Sequence, residues 1–333
     1  MDPLSHAILG RMVTRAAART ATRGVAAASI LGALSPDVDF VLMPAGWDVY
    51  LRAHEIGTHS IPGLIVTGLG SAVLVRLAVR GSRFATLAGA AIAGAGSHVV
   101  ADIVSGARLR PAWPVADVIT SLPLVSMADP WLMAILATGA LAMWWSAARR
   151  RAVARGTLVA LALFLGMKGL LLASALRTLD PPHGAGSEPI VGARWASLTE
   201  WYLFDRTAGA VRQWKLDARG RDPELLLSWP VGPDTPLVRA SRRLDTVRNF
   251  LSVHSLGFAV EQPAAGRRRA VLWSDIRFCS RPPRAGGPIA CALWFGGILE
   301  PDGRPVRQRV HVGSWVQERP APEREAPPPS PSP

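Results

Sequence analysis

Five long apolar segments occupy the first 177 residues, at 25–43, 61–79, 84–104, 131–147 and 157–176. A helix crosses a bilayer with about 20 apolar residues, and about 17 to 25 are tolerated. Lipid offers no partners for backbone N–H and C=O groups, so segments this long read as helices that satisfy their own hydrogen bonds. The expected fold is mainly α: a polytopic helical membrane domain, preferred over a soluble helical core because five such segments follow one another.

Beyond residue 178 the composition turns to Pro, Arg, Trp and Asp. Short β-rich runs appear, such as Trp201-Tyr202-Leu203-Phe204, Ala270-Val271-Leu272-Trp273 and Arg309-Val310-His311-Val312, with a strand-joining turn at Pro301-Asp302-Gly303-Arg304. The sequence therefore divides into a helical membrane domain over 1–178, a linker over 179–189, a small β-rich extramembrane domain over 190–318 and a Pro-rich, disordered tail over 319–333. Tryptophans are frequent after residue 190, which suits a β core or a surface resting on lipid headgroups. Cys279 and Cys291 are too few for a disulfide framework but suffice for one bridge in an oxidising compartment.

The formal net charge of +13 comes from 37 basic residues against 24 acidic ones. The arginines cluster at the ends of apolar segments, so membrane topology accounts for them better than nucleic-acid binding. Arg80 and Arg83 assign the loop after the second span to the cytoplasm, and Arg149, Arg150, Arg151 and Arg155 do the same for the loop before the fifth. The loops at 44–60 and 105–130, and everything after residue 176, then lie outside. Residues 4–23 carry Arg11, Arg15, Arg19 and Arg23 at every fourth position, one positive stripe on a helix. Such a helix either lies on an anionic membrane surface or forms the first arm of a hairpin. Its basic residues follow the apolar opening, the reverse of a cleaved leader.

Four of the seven histidines fall within the first 102 residues. They are His6, the pair His54 and His59, and His98, which is followed at i+4 by Asp102; Ser35-Pro36-Asp37-Val38-Asp39 adds two carboxylates. On a helix, His98 and Asp102 share one face and can grip one ion. Asp37 and Asp39 follow a proline, so one carboxylate can enter a site while the other orients a histidine. All but His6 fall at the outer ends of their segments, and His6 joins them only if residues 4–23 form a hairpin arm. Ionisable groups in membrane segments are costly and usually functional.

Mixed imidazole and carboxylate donors suit zinc best, with manganese or iron as alternatives. The surplus of donors over the four that one tetrahedral zinc requires favours two or more ions, which can activate a water and clamp a displacement at phosphorus. Glu55 stands as either a general base or an exposed loop carboxylate, and Asp129 and Asp117 as either further ligands or helix caps. Thr58 and Ser60 are cast as donors supporting the ligands. His183, His254 and His311 have no partner at ligand spacing and are left out.

These phrases resemble the YdjM-type inner-membrane metal-dependent hydrolases. The resemblance rests on Met1-Asp2-Pro3-Leu4-Ser5-His6-Ala7, Gly32-Ala33-Leu34-Ser35-Pro36-Asp37-Val38-Asp39, the phrase from His54 to Ser60, that from Ser97 to Asp102, and Asp129-Pro130. It covers about the first 180 residues, and the phrase from Val271 to Phe278 looks like one found in longer members. Glu55 stands where the family pattern usually has Arg. The family is distantly similar to zinc-dependent phospholipases C and single-strand-specific zinc nucleases, which implies His6, Asp37, His54 or His59, His98 and Asp102 as ligands. The further His-x-x-x-Glu pair of those enzymes has no counterpart here.

The expected function is a bacterial, multi-pass inner-membrane hydrolase acting on a small-molecule or lipid phosphoester at the outer face, with membrane lipid as its setting and its C-terminal domain outside. The alternative is a non-catalytic membrane protein with a structural metal site and a partner-binding or sensing outer domain. Closed coordination would favour that alternative, because a catalytic zinc keeps one position open.

Overall fold

In a computed structural model of the protein, the described residues are 1–18, 22–54, 56–179, 189–280 and 290–321. Seven helices come first: α1 (Pro3–Ala17), α2 (Arg23–Leu34), α3 (Trp47–Ala53), α4 (Ile61–Ala78), α5 (Phe84–Val104), α6 (Pro130–Trp145) and α7 (Arg150–Leu176). By length and apolar composition four helical stretches are able to cross a membrane: Arg23–Ala45, Ile61–Ala78, Phe84–Val104 and Ala147–Leu176. The expected fourth span is instead a shorter apolar helix of 16 residues, α6.

Another departure lies in the first span. Its α-helix stops at Leu34, and Ser35–Ala45 continues as 3-10 turns. Pro36 lacks the N–H that would extend the ladder, and Ser35 Oγ donates to the Gly32 carbonyl at 2.8 Å, satisfying one exposed helix-end acceptor. The break leaves Asp37 and Asp39 on tight turns at the helix end.

Among helices α1 to α7, three starts share one local device, a short polar cap with proline at one of the first two helical positions. Asp2 accepts from Ser5 N at the head of α1, Ser60 from Gly63 N at α4, and Asp129 from Trp131 N and Leu132 N at α6. Residues 3–17 pack inside the helical bundle: Leu9 and Met12 of α1 are buried, and Leu9 shares a core cluster with Ala101, Leu132 and Leu161. The helix is thus a hairpin arm with α2. At its end, Arg151 Nε and Arg155 Nε donate to the Ala16 carbonyl at 3.2 and 3.1 Å, placing cations at the negative pole of α1. Arg19 lies outside the described residues.

Close approach of α1, α2 and α5 depends on residues without side chains. A Cβ on Gly32 would lie 2.1 Å from the Ala91 carbonyl oxygen, and one on Gly94 would lie 2.2 Å from that of Ser29. No larger residue fits at either position without parting α2 from α5. Lys168 of α7 is fully buried and donates to the Ser197 and Leu198 carbonyls at 2.9 and 3.3 Å, over the Trp201 ring.

After the helices come eleven strands. An antiparallel start, β1 (Ile190–Ala193) on β2 (Glu200–Arg206), continues through β3 (Ala210–Asp217) to β4 (Arg221–Pro230) in one four-stranded sheet. Two short helices follow, α8 (Pro236–Ser241) and α9 (Asp245–Val253), then β5 (Gly257–Pro263), β6 (Arg269–Asp275), β7 (Cys279–Ser280), β8 (Ala290–Cys291), β9 (Leu293–Leu299), β10 (Pro305–Val312) and β11 (Trp315–Pro320). The second sheet has the antiparallel order β11-β10-β9-β6-β5. The turn at Pro301–Arg304 joins β9 to β10, with Gly303 at φ +86° and the Glu300 N–H donating to the Arg304 carbonyl. Cys279 and Cys291, opposed across β7 and β8, form a disulfide.

Packing groups the residues into two compact units. One comprises Met1–Met43, Ala53–Asp205 and Gln213–Leu226; the other comprises Pro44–Arg52, Arg206–Arg212 and the residues from Leu227 on. Trp201, Leu203 and Leu216 of β2 and β3 belong to the same core cluster as Leu9 and Leu161, so the β-rich region contributes to both units. The linker expected over 179–189 falls almost wholly on 180–188, outside the described residues, as does the tail beyond 321; Arg319 and Pro320 close β11.

In the second unit Val247, Phe250, Trp273 and Phe295 are fully or almost fully buried together. His254 lies beside them, between the rings of Phe250 and Phe278. Arg277 Nη2 donates to its Nδ1 at 2.9 Å. Burial, and then the facing Arg277 guanidinium, push the His254 imidazole down to about 4. The folded chain keeps this ring neutral while the unfolded chain protonates it near 6.5. Stability is therefore complete above about pH 6.5 and falls as pH drops towards 4, by at most about 3 kcal/mol. Thermal unfolding of the full chain in detergent, followed by tryptophan fluorescence from pH 7.5 to 4.5, should show this loss, and His254→Leu should flatten it.

Candidate metal centre

Each expected donor comes from a different piece of local structure. His6 lies in the second turn of α1, Asp37 and Asp39 on the 3-10 turns after α2, His54 and His59 on the loop between α3 and α4, and His98 and Asp102 on one face of α5. The chain folds these seven into three overlapping triads: His6, His98 and Asp102; Asp37, His59 and His98; and Asp39, His54 and His59. Within each triad the donor atoms lie within 4.8 Å of one another.

At the middle, His59 Nε2 and His98 Nε2 face each other at 3.2 Å. Asp37 Oδ1 stands 3.5 Å from His59 Nε2 and 3.6 Å from His98 Nε2. Asp102 Oδ2 stands 2.9 Å from His98 Nε2 and 3.6 Å from His59 Nε2. Four donors around a tetrahedral zinc, at bond lengths of about 2.0 to 2.2 Å, are separated by about 3.3 to 3.6 Å. Four of the five separations lie at or near that range, and the fifth, His98 Nε2 to Asp102 Oδ2, is shorter at 2.9 Å, a hydrogen-bond distance.

The two central imidazoles turn their Nδ1 atoms away from this middle. His98 Nδ1 lies 2.7 Å from the Ala33 carbonyl, which only accepts, so Nδ1 carries a proton and Nε2 is left facing His59 Nε2 and Asp102 Oδ2. His59 Nδ1 lies 3.1 Å from Thr58 Oγ1, whose own proton goes to the Asp39 carboxylate at 3.2 Å. His59 Nδ1 is therefore the donor to Thr58, and its Nε2 faces inward. Two ring nitrogens opposed at this distance, flanked by two carboxylates, call for positive charge between them, which a metal ion can supply as well as a proton.

His6 stacks on His98 with ring centroids 3.7 Å apart, and its Nε2 is 3.2 Å from Asp102 Oδ1. Both of its ring nitrogens are buried without a well-directed hydrogen bond. The Met1 amino group also contacts Asp102. At the other end, His54 Nδ1 is 2.9 Å from Asp39 Oδ2, while Asp39 Oδ1 is buried with no hydrogen-bond partner. Orphaned nitrogens and carboxylate oxygens in an otherwise apolar bundle fit a site built for divalent metal. The His6, His59 and His98 side chains are fully buried, whereas those of Asp37 and His54 are 19% and 21% exposed, so the site opens on one side only.

The remaining expectations sort by geometry. Asp117 is 74% exposed and ion-paired with Arg110, outside the triads, so it is corrected to a loop residue. Its expected place near a helix start does not exist, because residues 105–129 form turns and isolated bridges. Asp129 resolves to the cap of α6, Thr58 to the bridge between Asp39 and His59, and Ser60 to the cap of α4. Glu55 lies outside the described residues. Sequence reasoning did not find the Ala33 carbonyl, since a backbone acceptor leaves no mark in residue type; the signal available was Gly32 beside it, which lets α5 approach.

A family model described as YdjM inner membrane protein matches residues 1–175, more than half of the chain. The chain belongs to this family. No curated protein and no solved structure matches it. The YdjM region contains every residue of the three triads and ends at the close of α7. With its apolar helices, family membership makes this a multi-pass inner-membrane protein.

The hydrogen bond that orients His59 gives a direct check. Thr58→Val, which keeps the shape and removes the hydroxyl, should weaken zinc binding about 10- to 100-fold, while Asp117→Asn should leave it unchanged. Metal competition titrations on purified protein measure both.

Proposed function

We propose that this protein is a membrane-bound, metal-dependent hydrolase that cleaves a phosphoester at the outer face of the inner membrane. The observation that carries this reading is the pair of facing ring nitrogens of His59 and His98 between the carboxylates of Asp37 and Asp102. One or two divalent ions, zinc by the donor chemistry and manganese as the alternative, would be held by His59, His98, Asp37 and Asp102, with His6 at one end and Asp39 and His54 at the other. A divalent ion in such a set supplies Lewis acidity and a more acidic water, and two ions suit displacement at phosphorus.

The residues of the chain do the rest. Ala33 and Thr58 hold the two central imidazoles in the tautomers that keep their inward nitrogens available. Buried apolar neighbours such as Leu9, Ala95 and Ala101 limit water around the set, strengthening its charges. Asp37 and His54, the partly exposed members, mark the side on which the set meets water.

The arginines support the outer placement. Arg80 and Arg83 lie between α4 and α5, and Arg149, Arg150, Arg151 and Arg155 at the start of α7, whereas His59 lies just before α4 and Asp102 near the end of α5. A positive-inside topology puts the two sets on opposite sides of the membrane. The Cys279–Cys291 bridge suits an oxidising compartment for the β-rich region.

Purified protein should hold zinc or manganese near stoichiometry and hydrolyse a soluble aryl phosphodiester, with activity abolished by chelator and restored by metal. His98→Ala and Asp102→Ala should each lower both metal content and turnover, the latter by about a hundredfold or more. Stoichiometric metal with no turnover on phosphomonoester, phosphodiester or phospholipid substrates would replace this reading with a structural metal site.

A further inference from the structure

A cavity of about 270 Å³ lies among α1, α5, α6 and α7. Its lining is apolar almost throughout, including Leu9, Val13, Val100, Leu132, Leu161 and Leu165. Its single hydroxyl, on Ser97, donates to the Gly94 carbonyl within its own helix at 2.7 Å, so the wall asks for no polar ligand.

The cavity begins where the donor set ends. Met1 lines it, and the Met1 amino group contacts Asp102. On α1, His6, Leu9 and Val13 are spaced i, i+3 and i+7, so one helix face carries a donor at one end and cavity wall below it. On α5 the wall runs from Ala93 to Val104, about 16 Å of helix, on the face adjoining that of His98 and Asp102. A polar, cation-seeking head and a narrow apolar extension thus meet within helices long and apolar enough to cross a membrane.

We propose that this cavity receives one alkyl or acyl chain of the substrate, so that the phosphoester presented to the donor set belongs to a lipid. The inference rests on the hydrolase reading above and adds the substrate class. A water-soluble phosphoester would leave the cavity empty and make no use of its place beside the donor set, to which Met1 links it. A lipid already dissolved in the membrane would bring its chain in from the bilayer interior and its phosphate to the outer face.

Gly96 gives the means to test it, because it lines the cavity and a Cβ there meets nothing within 4 Å. The probes are inorganic phosphate and a series of n-alkyl phosphates from butyl to dodecyl, bound to zinc-loaded protein in detergent and read by competition. For the natural chain, affinity should rise about fourfold per added methylene until the cavity is filled. In Gly96→Leu the rise should stop early and dodecyl phosphate should lose at least about tenfold, with inorganic phosphate and zinc content unchanged. Val100→Phe, at a wall position that is 60% exposed, is the second variant should the first fold poorly. A flat chain-length series in the natural protein, or a series unaltered by both variants, overturns the chain site; the latter would assign the rise to partition into detergent. Chain-dependent binding without hydrolysis of any ester would overturn the hydrolase reading and leave the chain site standing. Hydrolysis with a flat series would do the reverse.

Discussion

Ionisable groups inside an apolar helical bundle have few partners except one another, and this constraint organises the first unit. His6, His59, His98 and Asp102 are almost wholly withdrawn from solvent. An isolated buried charge or unpaired imidazole nitrogen there would cost several kcal/mol. The chain instead gathers these groups into one connected set and satisfies their outward atoms with the Ala33 carbonyl and the Thr58 hydroxyl. What stays without a hydrogen-bond partner is both ring nitrogens of His6 and Oδ1 of Asp39, at the two ends of the set, and that unmet demand is what suits the cluster to a metal ion.

The convergence requires helix axes closer than ordinary side chains allow. Gly32 and Gly94 remove the obstruction between α2 and α5, and the same approach carries His98 to Ala33. The broken end of α2 contributes as much: had the helix run on through residue 43, Asp37 and Asp39 would have spread around a cylinder instead of turning back towards His59 and His54. Pro36 thus positions both carboxylates by what it prevents.

The second unit follows different physics. Its sheet is held by buried aromatic packing among Phe250, Trp273 and Phe295 and by a disulfide-closed pair of short strands. Buried Asp48, on the short helix α3, accepts through Oδ2 from Asn249 at 2.8 Å and Arg319 at 2.6 Å within the unit. His254, which had no visible partner in sequence, finds Arg277 and Asp275 only through the fold.

Apolar run length was enough to read the helices of α4, α5 and α7, because lipid allows no other use for such runs. Residue type and spacing were enough to name all seven members of the triads, because histidine and aspartate are rare and costly in that setting. Spacing failed where the deciding group was a neighbour distant in sequence: it could not separate Asp129 as a cap from Asp117 as an exposed ion-pair partner, nor choose a surface or a bundle for α1. The amino-acid sequence by itself determined that this chain enters a membrane with a set of histidines and aspartates, side chains of the kind that can ligate metal, at the ends of its helices. Only the tertiary structure decided that His6 lies with them, that His59 and His98 turn their Nε2 atoms on each other, and that an apolar cavity lies beside the set. The physical reason is that donor geometry depends on contacts between helices many residues apart, which glycine clearance and backbone acceptors set and residue spacing does not encode.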